Sequence, residues 1–312
     1  MSELSRLRRS VILVTGAPRS GTTPVGSILA RAPGAQAIYE PWGPTGDVRF
    51  KTRFPIPGTG GLSRDDVCAF VRDLAEFNIR LKRQVRASYT RDPWYLPTAR
   101  KIIGTRSRAS LLLARINKRR CTHVIWKDPH AVMAVPDIIE TGLPVVVTMR
   151  PALAHAASYK RLGWRPVLSD IYPRFEERYG RDIHIEAILL RSDEPSYVEA
   201  AAALWRMAYS VVAGAAGSPN LHLLDSKMLA YDEISCYQKL FKDLGLSFDR
   251  VRSHLTRCVA ASRSHNRPAK AVHDWTRSIA YTNSYWQSTL SREEIRQVDT
   301  LTRDIELQLF SG

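Results

Sequence analysis

The chain has 312 residues, 44% hydrophobic and 24% charged, with 46 Lys+Arg against 30 Asp+Glu for a net charge of +16. That length suffices for a large buried core, and the balance excludes a disordered or low-complexity chain. Four scattered cysteines with no Cys-x-x-Cys exclude a zinc-ribbon spacing and a disulfide framework, and no apolar run is long enough for a membrane span.

The positive excess suits an anionic ligand, an acidic polysaccharide, nucleic acid or a membrane surface. Arginine is spread along the chain without zinc-finger spacing, an RNA-binding aromatic motif or basic heptads, so no nucleic-acid partner is expected; a basic nucleic-acid-binding protein stays as the non-enzyme alternative. Met1 to Ser10 is polar and basic and leads straight into an apolar stretch, which leaves no signal peptide and predicts a cytoplasmic protein.

Val11 to Thr15 is apolar or β-branched and predicts a buried strand. Gly16-Ala17-Pro18-Arg19-Ser20-Gly21-Thr22-Thr23 follows, and Pro24 to Ala32 reads as a helix. Strand, glycine-rich turn and helix is the arrangement in which backbone N–H groups and a helix N-terminus hold a phosphate. Gly16 and Gly21 have the spacing of the nucleotide P-loop, but Thr22 stands where that motif needs lysine, and the cation is Arg19. An ATP-dependent kinase with a degenerate loop remains the enzyme alternative.

Ala35 to Tyr39 predicts a second strand that delivers Glu40 to its C-terminal end, where open α/β sheets bind ligands. Residues 43–120 read as an inserted, mostly helical region shaping an acceptor side. Within it, Ser63 to Arg86 carries a helical pattern capped by Ser63 and Asp66, with Val67, Phe70, Val71, Leu74, Phe77 and Leu81 on one face, and Leu111 to Ile116 belongs to a short basic helix.

Thr122 to Trp126 predicts a strand running into Lys127-Asp128-Pro129-His130, and Pro144 to Met149 another, running into Arg150-Pro151. A helix follows, on which Ser158 returns two turns later to the face of the helix start. Ser169 to Ser196 reads as broken loop and helix, Tyr197 to Ala216 as a helix facing the core through Leu204, Trp205, Ala208 and Val212, and Asn220 to Leu224 as the last strand. Helices are expected over Ile234–Leu244, closed by Gly245, and over Ser291–Leu309, opened by Ser291 and Glu294. Together these predict one α/β domain over 1–312, a P-loop-like three-layer fold with a parallel sheet of about five strands.

Gly-x-Pro-Arg-Ser-Gly-Thr-Thr closely resembles the 5′-phosphosulfate loop of sulfotransferases that use 3′-phosphoadenosine 5′-phosphosulfate (PAPS). Arg150 and Ser158 match the pair that binds the 3′-phosphate of PAPS, and Lys127-Asp128-Pro129 resembles the segment of tyrosylprotein and bacterial carbohydrate sulfotransferases whose lysine contacts the sulfuryl group. The resemblance implies that Gly16, Pro18, Arg19, Ser20, Gly21, Thr22 and Thr23 hold the 5′-phosphosulfate, that Lys127 and Arg19 offset charge during transfer, and that Glu40 is the base. In cytosolic members a histidine two residues after the lysine is the base; Pro129 occupies that position here and His130 lies one residue late. Arg267 and Lys270 resemble the C-terminal segment that folds over the nucleotide, whereas Asp225-Ser226-Lys227-Met228-Leu229 departs from the usual Tyr-Glu-Asp-Leu turn. The implied reaction moves a sulfuryl group from PAPS to a hydroxyl, leaving adenosine 3′,5′-bisphosphate, with no metal. The bacterial resemblance points to a glycan or glycolipid acceptor, with a metabolite or peptide tyrosine as alternatives; the oligomeric state is open.

Overall fold

In the computed structural model, the residues described are 7–82, 105–262 and 278–310; Arg267 and Lys270 lie outside them. Five strands form one sheet: β1 (Ser10–Thr15), β2 (Ala35–Tyr39), β3 (His123–Lys127), β4 (Val145–Met149) and β5 (Leu221–Asp225). Their order is β2-β3-β1-β4-β5, and every pairing is parallel. The expected α/β class and strand count are therefore both present.

Both faces of the sheet are covered, which explains why its strands read as continuous apolar runs rather than alternating ones. Val11 and Leu13 of β1, Val124 and Trp126 of β3, and Val145 and Val147 of β4 point into one core. Ile12, Val14, Ile125 and Val146, from the same strands, point into the other.

The smaller core is closed by α1 (Thr22–Leu29), through Val25 and Leu29, and later in the chain by Tyr237, Phe241, Val251 and Leu255. The larger core takes up α2 (Arg64–Ala75) and α3 (Arg106–Ile116), then a 3₁₀ turn (Pro129–Ala134) leading into α4 (Val135–Glu140). It continues with α5 (Ala152–Leu162), α6 (Leu168–Tyr179), α7 (Ile183–Arg191) and α8 (Tyr197–Gly214). On the smaller-core side follow α9 (Ser226–Tyr231), α10 (Glu233–Asp243) and α11 (Asp249–Ser262). The chain then runs through α12 (Ile279–Ser284) and a 3₁₀ turn (Tyr285–Ser288) to α13 (Arg292–Phe310), which packs on α8.

One expectation needs correction and a second is refined. The helix expected over Ser63–Arg86 stops at Ala75: Phe77 takes a left-handed φ of 59°, and Asn78 N–H turns back to Asp73 O at 2.7 Å. Phe77 is still buried, but from a turn, and Leu81 forms an antiparallel bridge with Asp47 instead of a helical face. The polar stretch after Ser169 is more ordered than expected, forming α6 and α7. Asp182 caps α7, accepting from His184 N–H (3.0 Å) and Ile185 N–H (3.2 Å). The expected capping boxes at Ser63/Asp66 and Ser291/Glu294 both form.

Candidate functional site

The loop from β1 to α1 lies against β4, and only glycine permits that approach. Gly16 has φ 139°, and a Cβ there would sit 2.2 Å from Thr148 O. Gly21 opens α1 at φ 98° with no side-chain cap, so the amides of the first turn, including those of Thr22 and Thr23, have no intrahelical acceptor. Those donors and the positive end of the helix dipole face the loop.

Two residues that the sequence left unremarked hold this loop. Tyr209 of α8 donates its hydroxyl to Thr148 O (2.8 Å), since a carbonyl only accepts, and takes a second bond from Ser20 Oγ (2.8 Å). His155 of α5 donates Nε2–H to Pro18 O (3.0 Å). Burial first, then the charge of Arg150, depresses the His155 pKa to about 3, so this ring is a neutral strut at physiological pH. Ser20 is thus a scaffold residue whose oxygen keeps only lone pairs free, and its N–H is spent on Ala17 O (3.0 Å).

Arg19 adopts a left-handed φ of 77°, a conformation that costs roughly 1–3 kcal/mol for a side-chain-bearing residue. It is held there by Nε donating to Ser158 Oγ (3.2 Å) and by the indole of Trp164, 5.8 Å away. Burial first, then the neighbouring charges of Arg150 and Arg161, lower its pKa to about 10. Cations crowded into a buried spot against their own repulsion make a receptor for an anion.

Arg150 leaves the end of β4, buried, with its carbonyl held by Trp205 Nε1–H (2.9 Å). Its guanidinium lies 5.4 Å over the Tyr285 ring, bonds Thr282 O, and reaches Arg19 O at 3.5 Å. Ser158, also buried, completes the group from α5. Arg19, Arg150 and Ser158 therefore converge between the C-terminal ends of β1 and β4. The chain leaves β1 toward β2 and leaves β4 toward β5, in opposite directions, so this is the sheet's topological switch point.

The second half of the site stands at the ends of β2 and β3. Lys127 pairs in register with Val14 and Tyr39, and its buried Nζ donates to Glu40 Oε1 at 2.6 Å. Its stem lies on α1: a Cβ at Gly26 would be 3.0 Å from Lys127 Cγ. Glu40 turns out of β2 with φ 48°, its N–H donating to Lys127 O (2.7 Å), and its side chain stays 41% exposed. Burial alone would raise the Glu40 pKa, but the Lys127 charge and hydrogen bond, aided by His130 and Arg106, outweigh it and hold the carboxylate below its ordinary range.

Asp128 does not face this chemistry. It is fully buried and accepts from Trp42 N–H (2.6 Å), His130 N–H (3.0 Å) and Trp126 Nε1–H (3.4 Å), tying the loop after Glu40 to the 3₁₀ turn. Burial, then the Glu40 charge, raises its pKa to about 7. His130 packs on Phe54 with ring centroids 5.1 Å apart, and its buried Nδ1 has no hydrogen-bond partner among the described residues. Burial holds its pKa down to about 4. Lys127 ends the strand paired with β1, so the two halves stand side by side along the C-terminal edge of the sheet, where open α/β sheets form their ligand cleft.

The cleft can hold an extended anion at two points and offers a carboxylate–ammonium pair beside them. Among the described residues, no group of three or more His, Cys, Asp or Glu side chains is placed to ligate a metal, and no helix is long and apolar enough to cross a membrane.

No protein-family model matches the chain, and no curated protein matches it. Among solved structures, it is similar to the sulfotransferase domain of the Synechococcus PCC 7002 olefin synthase (14% identity, TM-score 0.41, 94% of this chain and 93% of that one). It is also similar to a sulfotransferase from Mycobacterium avium (10% identity, TM-score 0.45, 98% and 78%) and to a mouse sulfotransferase complexed with PAP (10% identity, TM-score 0.46, 98% and 90%). Likeness at this level assigns no residue a role, and the site stands on its own geometry.

Proposed function

We propose that this chain moves a sulfuryl group from PAPS to an acceptor hydroxyl, most simply on a glycan or glycolipid, and that its described parts make one domain in which residues 43–82 and 105–120 belong to the acceptor side. The observation that carries the reading is the convergence of Arg19, Arg150 and Ser158 at the switch point, one strand away from the Lys127–Glu40 pair. An ATP site needs a cation for its terminal phosphates and none for a ribose 3′ position; here Thr22 replaces the loop lysine, and Arg150 and Ser158 supply a second anion point.

PAPS fits the residues present. The Gly16 turn, which a Cβ would fill, and the amides at the start of α1 suit the 5′ phosphosulfate, with Arg19 beside it. Arg150 and Ser158 would take the 3′-phosphate, the guanidinium as a planar fork and the hydroxyl as a short donor. When bound, the donor supplies the sulfuryl group and an anionic leaving phosphate.

Glu40 is ionised at neutral pH and half-exposed, so it accepts the proton of an acceptor hydroxyl as that oxygen bonds sulfur. Lys127 offsets the charge that builds on the oxygen of the breaking S–O bond; a compact ammonium can shift from Glu40 to that oxygen without rebuilding the site. His130, neutral and buried beside Glu40, is the competing base.

Calorimetric titration with adenosine 3′,5′-bisphosphate, beside adenosine 5′-phosphate and ATP with and without magnesium, tests the donor assignment on wild type and Arg150→Ala. The bisphosphate should be preferred and its advantage lost in the variant. Preference for magnesium ATP, indifferent to Arg150, would replace this reading with a kinase.

A further inference from the structure

Helix α3 carries an aliphatic face on its solvent side as well as one in the core. It buries Ser107, Ser110, Leu111 and Ala114, and presents Leu112 (54% exposed), Leu113 (50%) and Ile116 (72%) to solvent. Its inner side combines Leu111 and Ala114, packed in the larger core, with Ser110 for a reason: Ser110 Oγ accepts Tyr39 N–H (3.1 Å), and the helix lies directly on β2. The outer side has no such reason, because each exposed aliphatic forfeits burial worth about 25 cal/mol per Å².

Charge surrounds this apolar face. Arg106, Arg108, Arg119 and Arg120 are exposed on the helix and its C-terminal extension, and no acidic residue occurs between Thr105 and His123. Arg115 is fastened to Phe77 O (2.9 Å), and Lys118 with Arg9 takes up Glu76, the acidic side chain paired at this end. Leucine and isoleucine ringed by arginine suit an interface where aliphatics enter a hydrocarbon boundary and guanidiniums meet lipid phosphates. Nucleic acid fits less well, since aliphatic side chains neither stack on bases nor pair with phosphates.

We propose that α3 docks the protein on an anionic membrane surface. The helix also reaches the candidate site: Arg106 lies 3.9 Å over the Tyr39 ring and its charge acts on Glu40. Docking therefore sets the Glu40 edge of the cleft next to the bilayer. The docking does not rest on the sulfuryl-transfer reading, although with it a lipid-borne hydroxyl becomes the acceptor class.

Co-sedimentation of the full chain with vesicles tests this, comparing phosphatidylcholine alone with phosphatidylcholine carrying about 30% phosphatidylglycerol. Binding should require the anionic lipid and fall roughly tenfold in Leu112→Gln/Ile116→Gln and in Arg119→Gln/Arg120→Gln. Arg292→Gln/Arg296→Gln, the same charge change on exposed residues of α13, should bind as wild type does. Equal loss in the α13 variant, or no loss in Leu112→Gln/Ile116→Gln, would mean general basic adhesion and overturn the proposal. So would absent vesicle binding with a wild-type dimer that Leu112→Gln/Ile116→Gln dissociates, which would give the face to a second copy. The bisphosphate titration on the same variants should be unchanged, so a failure of docking is distinct from a failure of the donor site.

Discussion

Lys127 Nζ donates to Glu40 Oε1 at 2.6 Å, across 87 residues of chain, so the two groups assigned to proton transfer and charge compensation arrive already paired. The pairing keeps Glu40 ionised and fixes the Lys127 ammonium at the C-terminal ends of β2 and β3. Glu40→Gln keeps the shape and removes the base. Turnover should fall roughly a hundred- to ten-thousand-fold, with bisphosphate affinity nearly unchanged. Near-normal turnover in Glu40→Gln, together with a dead His130→Ala, would transfer the role to His130.

The acid limb of the pH profile should lie low. The Glu40 pKa is depressed, so the ionised base persists until the pH drops below the ordinary carboxylate range, about 4.3. The same depression means that the stability Glu40 contributes is present above that range and lost as pH falls through its lowered pKa. His130, held at about 4, would give a similar limb, so the substitutions and not the profile separate the two bases. A limb near pH 6 to 7 would contradict both, as that is where an unperturbed imidazole titrates, about 6.5.

Gly26→Ala tests positioning. The new methyl would stand 3.0 Å from Lys127 Cγ and 3.1 Å from its Cβ, forcing the stem to shift. Alanine also favours helix by about 1 kcal/mol, so the fold should not suffer. The expected result is kcat lowered roughly tenfold or more at near-unchanged bisphosphate affinity and thermal stability. An unaltered kcat would show that Lys127 need not sit where α1 places it.

Asp128 gives a signed stability test. Its pKa rises from its ordinary value to about 7 on folding, so the folded state binds more protons than the unfolded state between about pH 4 and that value. Its contribution to stability therefore falls as pH rises through that window. Asp128→Asn has no such titration, so the stability gap between wild type and variant should narrow from about pH 5 to about pH 7.5, measured by urea midpoints. A gap that stays constant across that window would mean that Asp128 is ionised throughout it.

Tyr209→Phe removes the hydroxyl joining Ser20 Oγ to Thr148 O and leaves both buried. A loss of roughly 1–3 kcal/mol in unfolding free energy is expected, with weaker bisphosphate binding as the loop loosens. Stability equal to wild type would show that the loop is held without α8.

The strands were legible because burial on both faces leaves β-branched runs such as Val145-Val146-Val147, and Ala35–Tyr39 falls where expected. Gly16 and Arg19 stood out in the glycine-rich turn after β1, whereas Arg150 and Ser158 were singled out by the resemblance to a PAPS-binding pair, and the fold brings both beside Arg19. The early stop of α2 was not, since Phe77 keeps the helical apolar spacing while its backbone turns left-handed. Nor were Tyr209 and His155, which look like core residues of apolar helices until the fold carries them to the loop. The Ser20 hydroxyl, expected on the ligand, is engaged by Tyr209 for the same reason. The Lys127–Glu40 bond depends on β2 and β3 being neighbours, which a local pattern does not encode.

The contacts that build the candidate site span long stretches of sequence: Arg19 to Ser158 over 139 residues, Arg150 to Thr282 over 132, and Ser20 to Tyr209 over 189. Contacts of such separation form late, after the entropy of closing long loops has been met. Nascent or partly refolded chains are therefore expected to carry strands and helices before the proposed nucleotide site is assembled. Recovery of bisphosphate binding after dilution from denaturant should lag behind recovery of helical circular dichroism, and the lag times the arrival of the 278–288 segment over Arg150.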